Sequence, residues 1–334
     1  MACSVLPIAP HLAGCLPHQM MMRVPAAPAP TPAPAPAPAP EELRLSDLDW
    51  IGDLGAGGFA RVSKARHRRT GAVFALKMSF DADPDVEEEA EVLRRAAGSP
   101  HVVDCHALLR GPAGEPAFAL EFMDAGSLGR VLCRRHRGSR GVPELALAEA
   151  AAHCVVGLAQ LHSRGVAHLD VKPDNFLASS RGEIKISDFN TSRILYGSAG
   201  ERLQVPITAG TLAYFSPERF APRARAGPHG AMAADVWGLG VTVLELFLGR
   251  FAVVPDADKA SAAELELAIC HGEPLRVPEE AEASAELRGF VAACLQWEPT
   301  RRATVPQLLR HPFLTRRDVE ASRRALRDLI VETL

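Results

Sequence analysis

The sequence predicts an α+β fold, with a smaller, mainly β part over about residues 45–123 and a larger, mainly α part over about 124–314. Three observations carry this reading. Strand-like runs crowd into residues 50–54, 61–66, 73–78 and 118–123. Ala- and Leu-rich helical runs fill most of the chain after them. Strands first and helices later is the order of an α+β chain, and 334 residues suffice for one large domain or two lobes sharing a cleft.

Residues 1–44 stand apart as an arm. From Ala26 to Pro40 it is close to pure Ala-Pro alternation, which favours an extended, disordered spacer and builds no core. No basic stretch followed by an apolar one precedes it, which argues against a secretory signal. Low Ser and a single Arg over residues 1–40 make an organelle transit peptide a poor match. Folded sequence begins near Leu45. Strands at 50–54 and 61–66 flank Gly55-Ala56-Gly57-Gly58-Phe59-Ala60. Such a turn lets backbone N–H groups approach phosphates, although taken alone it fits a plain hairpin equally well.

In the strand at 73–78, the period of two puts Val73, Ala75 and Lys77 on one face. A lysine among apolar neighbours is costly unless something pairs it. The helix that follows is expected to start at Asp83 as cap with Pro84 in first position, and to end at Gly98. Its apolar stripe reads Val86, Ala90, Leu93 and Ala97. At about 100° per residue Glu89 lies beside that stripe, while Glu87, Glu88 and Glu91 point away. Glu89 is therefore the carboxylate placed to meet Lys77; the alternative is one more solvated acid. Residues 118–123 then enter the loop Asp124-Ala125-Gly126-Ser127-Leu128.

Past that loop, a helix over 143–164 leads into His168-Leu169-Asp170-Val171-Lys172-Pro173-Asp174-Asn175. This reads as a polar loop, a strand, a short turn and a second strand ending in Ser187-Asp188-Phe189-Asn190. Asp170 can accept a proton from a hydroxyl. Asn175 and Asp188 can hold a hard cation through oxygen. Lys172 can reach a phosphate. That is a kit for phosphoryl transfer, in which catalysis is mostly positioning and charge stabilisation. Further helices are expected from Asp235 to Leu248, over 265–269 and over 284–294. A terminal helix over 317–334 carries Leu326, Ile330 and Leu334 on one side and is expected to pack on the larger part.

Composition narrows the classes. A hydrophobic content of 47% with 23% charged residues describes a globular protein. A net charge of −3 argues against a nucleic-acid or anionic-membrane surface. No apolar run is read as reaching the roughly 18 residues needed to cross a bilayer. The seven cysteines are scattered and form no C-x-x-C pair, as expected of reduced thiols.

Residues 45–314 resemble the protein kinases. The carrying features, in order, are the glycine turn, Lys77, Glu89, the H-R-D-L-K-x-x-N-like His168–Asn175, the D-F-G-like Asp188-Phe189-Asn190, Ser216-Pro217-Glu218, Asp235 and Arg302. The resemblance implies the bilobal protein-kinase fold, with an N-lobe over about 45–123, a C-lobe over about 124–314 and a helical tail over 315–334. It implies ATP and Mg2+. It makes Asp170 and Lys172 catalytic and Asn175 and Asp188 metal ligands. ATP would be held by Leu54, Gly55, Gly57, Val62, Ala75, Lys77 and Glu89, with the backbone at Glu121 and Met123 meeting the adenine. Asp235 is expected to brace the catalytic-loop backbone, and Glu218 to pair with Arg302.

Within the kinases the chain resembles the divergent group D of plant MAP kinase kinases. Leu45-Ser46-Asp47-Leu48, Gly157-Leu158-Ala159-Gln160-Leu161-His162-Ser163, the run from Gly210 to Phe220 and Gly249-Arg250-Phe251 carry that likeness. It implies a MAP kinase as substrate, phosphorylated on its Thr-x-Tyr pair, and an upstream MAP kinase kinase kinase. It also implies a monomer of the cytoplasm and nucleus that binds neither nucleic acid nor membrane.

Departures from the pattern are specific. Leu169 stands for the H-R-D arginine, Asn190 for the D-F-G glycine and Ala60 for the third glycine of the turn. The family's two phosphorylatable positions fall at Glu201 and Ile207, with Ser198, Thr208 and Thr211 as nearby hydroxyls. With both phosphate and receptor gone, the usual phospho-switch is expected to be lost, and Glu201 to supply a fixed negative charge. Asn190 is expected to take φ > 0 at a cost that slows the enzyme. A basic docking peptide is missing from the arm. Two readings compete with an active enzyme of this group. One is a kinase-fold scaffold with weak or no catalysis, binding MAP kinase pathway partners; the other is a kinase outside the MAP kinase kinase branch.

Overall fold

The computed structural model describes residues 43–57, 60–79, 86–111, 114–136, 141–221, 223–255 and 259–334. The Ala-Pro arm, Gly58 and Phe59 of the turn, and the Asp83 cap with Pro84 lie outside the described residues.

Strands β1 (Leu48–Ala56), β2 (Ala60–His67) and β3 (Val73–Ser79) form an antiparallel meander. Helix α1 (Val86–Ala96) follows, then β4 (Cys105–Arg110) and β5 (Pro116–Glu121). The resulting five-stranded sheet has the order β1-β2-β3-β5-β4. Leu48, Ala65, Leu76, Leu109, Ala117 and Ala119 give it a small core of its own. In α1 the buried face is Val86, Glu89, Val92, Leu93 and Ala96. Ala97, expected in the stripe, is exposed because the helix ends one residue earlier. Glu91 does turn outward, to Arg94 and Arg95, but Glu88 reaches back and accepts the Ile194 N–H at 2.9 Å.

After β5 come β6 (Gly126–Ser127), α2 (Leu128–His136) and α3 (Glu144–Ser163). Pro143 caps α3, and Gly165 leaves it with a φ of 70°. The short strands β7 (Val166–Ala167), β8 (Phe176–Ala178), β9 (Ile184–Ile186), β10 (Arg193–Ile194), β11 (Val205–Pro206) and β12 (Arg225–Ala226) carry the loops of the cleft. Then follow α4 (Pro228–Leu248), α5 (Ala262–His271), α6 (Ala285–Cys294), α7 (Val305–Leu308), α8 (Pro312–Thr315) and α9 (Val319–Glu332). The architecture is thus α+β, a β-sheet N-lobe on a helical C-lobe.

Helix α4 starts at Pro228, not at Asp235 as expected. Proline at its first position and the Ala-rich turn after it carry the helix two turns further upstream. A Cβ on Gly238 would meet the Val171 carbonyl oxygen at 2.7 Å, so glycine here lets α4 lie against the loop that holds Asp170. By length and composition α3 and α4 are apolar enough to cross a membrane, against the expectation that no such run exists. They are instead core helices, with 67% and 83% of their apolar windows buried.

The terminal helix α9 packs on α3 through Leu326, Leu329 and Ile330. Leu334, expected on that face, is 52% exposed because the helix stops at Glu332. Arg317 and Arg323 reach Glu149 of α3 at 2.7 and 3.2 Å. Burial would raise the Glu149 pKa, but hydrogen bonds from His153 and Arg317 hold it at about 2.

Candidate active site

The loop between β7 and β8 is fixed from below by Asp235. Its carboxylate accepts the N–H groups of His168 and Leu169 at 2.8 and 2.7 Å and the His162 ring at 2.8 Å. Burial opposes the charge on Asp235, yet His162 and the loop outweigh it and lower its pKa. This is the brace expected from the sequence. The His168 ring donates from Nε2 to the Ser187 carbonyl at 2.9 Å and accepts the Asp170 N–H through Nδ1 at 3.2 Å.

Asp170 stands at the centre of the resulting cluster. Its Oδ1 accepts the Thr211 N–H at 2.8 Å, and its Oδ2 meets Lys172 Nζ at 2.9 Å and Asn175 Nδ2 at 3.0 Å. Asn175 Nδ2 also donates to the Asp170 carbonyl at 2.8 Å, which leaves its amide oxygen as the end able to ligate a cation. Lys172 donates to Thr211 Oγ1 at 2.6 Å. Burial pushes the Asp170 pKa up, but Lys172, His168 and the Thr211 amide more than reverse this, so Asp170 is an ionised base at neutral pH.

Across the cleft, Lys77 Nζ lies 2.6 Å from Glu89 and 2.8 Å from Asp188. Glu89 is 3% exposed, so it is the inward carboxylate and not a solvated acid. Burial alone would strip Lys77 of its proton; Asp188 and Glu89 outweigh burial and raise its pKa, keeping the ammonium charged. Asp188 has φ 60° and Leu169 φ 63°. Asn190 is not among the residues with positive φ, so the left-handed torsion expected there belongs to Asp188. The left-handed residue comes two positions earlier than the D-F-G glycine would suggest, with Phe189 buried edge-on against His168.

The remaining expected residues line up through the sheet. Antiparallel register sets Gly55 beside Val62 and Val62 beside Lys77, across β1, β2 and β3. Ala75 pairs with Leu120 on β5, and Glu121 and Met123 follow where the chain leaves that strand. The Glu121 side chain is taken by Lys185 at 2.7 Å, so only its backbone remains for a base. Leu54 is half exposed, and a Cβ on Gly55 or Gly57 would meet no atom within 4 Å, so the chain is open at these two glycines. Oxygen donors from Asp188 and Asn175 suit a hard divalent ion next to phosphates. The residues present therefore fit a nucleoside triphosphate with its metal.

Several contacts had no local signal in the sequence. Thr211 sits 41 residues from Asp170 and is tied to it by its amide. It is engaged by Lys172, so it is no spare hydroxyl, whereas Ser198 and Thr208 are exposed. Glu201 folds back onto the Ala199 amide of its own turn at 3.1 Å instead of presenting charge to the loop below. Arg219 is buried under Phe215 and donates to the Ile207 carbonyl at 2.6 Å and to the Ala209 carbonyl. Burial brings the Arg219 pKa down to about 10, with Asp235 and Asp170 opposing, so it remains a cation. The Glu218–Arg302 pair forms as expected, at 2.6 and 2.7 Å.

Comparison with known proteins agrees with this geometry. The family model described as the protein kinase domain matches residues 49–314. The chain is 40% identical over 274 residues to mitogen-activated protein kinase kinase 9 of Arabidopsis thaliana, covering 80% of this chain and 84% of that protein. It is 40% identical over 276 residues to mitogen-activated protein kinase kinase 7 of the same plant, covering 80% and 85%. To the dual specificity mitogen-activated protein kinase kinase dSOR1 of Drosophila melanogaster it is 31% identical over 306 residues, covering 84% and 73%.

Proposed function

The chain belongs to the protein kinase family and to its MAP kinase kinase branch, and on that premise we propose that it transfers the γ-phosphate of Mg-ATP to the Thr and Tyr hydroxyls of a MAP kinase activation loop. The observation that carries this reading is the pair of intact clusters, Lys77–Glu89–Asp188 and Asp170–Lys172–Asn175, joined where the Ser187 N–H beside Asp188 donates to the Asn175 carbonyl at 2.8 Å. Lys77 holds the phosphates of ATP beneath the glycine turn. Asp170 takes the proton of the incoming hydroxyl, and its low pKa keeps it ready to do so. Lys172, 2.9 Å from that carboxylate, balances charge on the transferred group. Asp188 and Asn175 would hold Mg2+, which would supply further neutralisation of the phosphate charge when bound.

The test is ATP-dependent labelling of a catalytically dead MAP kinase by the full chain, beside its Asp170→Asn variant. Loss of a positioned base lowers the rate by roughly 10²–10⁴. Equal labelling by the two proteins removes Asp170 from its role. The scaffold reading rests on Leu169, Asn190 and the altered segment with Glu201 and Ile207, and it is upheld if the wild type binds the MAP kinase but transfers nothing. We also place the enzyme as a monomer in cytoplasm and nucleus under an upstream MAP kinase kinase kinase. Light scattering that gave a dimer mass, or exclusion of a tagged chain from both compartments, would count against this.

A further inference from the structure

Leu169 is 2% exposed and Ile207 is 2% exposed, and they share one apolar cluster separate from the main core. Leu195, Val205, Ala231 and Ala234 complete the contacts that matter. Three parts of the chain meet there: the loop that carries Asp170, the segment after Asp188, and the first turns of α4. Beside it the buried Arg219 guanidinium donates to the Ile207 and Ala209 carbonyls, adding a backbone tie to the apolar packing.

The segment is also pinned along its backbone. Leu195 N–H donates to the Gly165 carbonyl at 2.8 Å, Leu203 N–H to the Leu195 carbonyl at 2.9 Å and Ile207 N–H to the Ala224 carbonyl at 3.0 Å. At its far end the Thr211 amide is on Asp170, and a Cβ on Gly210 would strike the Leu169 carbonyl oxygen at 2.7 Å. The left-handed torsion of Leu169 is strained for a branched side chain and persists only where its surroundings hold it. Asp235 holds its N–H, and the apolar cluster holds its side chain. Asp170 is the next residue.

We propose that Leu169 and Ile207 form a built-in apolar latch that seats the segment from Leu195 to Gly210 on the catalytic loop and so positions Asp170 with no phosphate on the segment. Packing does here what a charged receptor and a phosphorylated residue do in a switched loop. If the segment lifts, Leu169 loses its cover, its strained torsion relaxes, and Asp170 loses the Thr211 amide together with its own placement. Leu169 and Ile207 are positioning residues, and this role rests on the kinase reading above.

The experiment uses the full chain made in bacteria and treated with phosphatase. Wild type, Leu169→Ala, Ile207→Ala and the double variant are compared by amide exchange over residues 195–211 and by steady-state transfer to a dead MAP kinase. Leu326→Ala, in the buried contact of α9, serves as a control for general destabilisation. Each single variant is expected to speed exchange over 203–211 and to lower kcat by roughly ten- to a hundred-fold, with the KM for ATP nearly unchanged. The double variant should be no worse than the more damaging single, because both side chains serve the one cluster. The control should lose melting temperature without losing kcat. Unchanged exchange in the single variants, losses that add, equal loss in the control, or wild-type exchange that slows only on phosphorylation overturns the latch. Should an alanine variant fail to fold, Ile207→Val gives the same direction in smaller measure. A wild type that transfers nothing ends the kinase reading, while the exchange data still decide the latch.

Discussion

Lys77 is held by two carboxylates at once, and removing it leaves both without their cation. Glu89 is the more deeply buried of the two. Breaking a buried pair from one side costs roughly 3–5 kcal/mol, because a charge is left unpaired in the interior. Lys77→Met should therefore abolish transfer and also lower the melting temperature. Adding Glu89→Gln should recover most of the stability and none of the activity. A Lys77→Met protein as stable as wild type would show that Glu89 is already neutral or finds water. Asn190 leads to a different outcome. Since the positive torsion lies at Asp188, glycine at 190 relieves no strain and only widens the unfolded ensemble, at a cost of roughly 0.4–1 kcal/mol. Asn190→Gly should leave kcat unchanged or slightly reduced in steady-state kinetics. A clear gain would mean that the asparagine does restrain the metal loop.

At the scale of elements, the linker between α1 and β4 is tied to α3 by a histidine pair. The rings of His101 and His153 stack at 4.2 Å, and His101 Nδ1 bonds the Ile184 carbonyl at 2.9 Å. Burial lowers the His101 pKa below 6.5, with the Ile184 carbonyl opposing and His153 and Lys185 adding to the fall. The unfolded chain then takes up a proton that the fold resists. This contribution to stability is complete above 6.5 and is lost as pH drops toward the folded value. Melting temperature should fall between about pH 7 and 5, and fall less steeply for His101→Phe, which stacks but binds no proton. Identical slopes would remove His101 from the account. The same elements show what was legible in the sequence. α3 was placed within a residue at each end because Pro143 and the Arg164-Gly165 pair mark it locally. The start of α4 was missed because an Ala-rich turn carries no strong period, and β4 because only one of its residues is buried.

Over the whole molecule, the candidate site was legible wherever residue type alone restricts the chemistry: Lys77, Glu89, Asp170, Asn175 and Asp188 come together as the pattern requires. What escaped were ties between residues far apart in sequence, such as Thr211 on Asp170 or the cluster shared by Leu169 and Ile207, which no local period encodes. The two ends of the chain should accordingly respond in opposite ways to truncation. The Ala-Pro arm has a composition that buries no core, so removing residues 1–40 should leave the melting temperature unchanged. Ending the chain at residue 316 deletes α9, whose Leu326, Leu329 and Ile330 each contribute roughly 1.5–3 kcal/mol by burial. It also removes Arg317 and Arg323 from Glu149, leaving a 1% exposed carboxylate with the His153 ring beside it at 3.3 Å. At roughly 1.6 °C per kcal/mol for roughly 290 folded residues, the loss should be on the order of 10 °C or yield insoluble protein. Thermal melts of both truncations at matched concentration read this directly. If the shorter C-terminus melts like wild type, α9 is an appendage and α3 tolerates exposure. A drop on removing the arm instead would mean that the arm docks on the lobes.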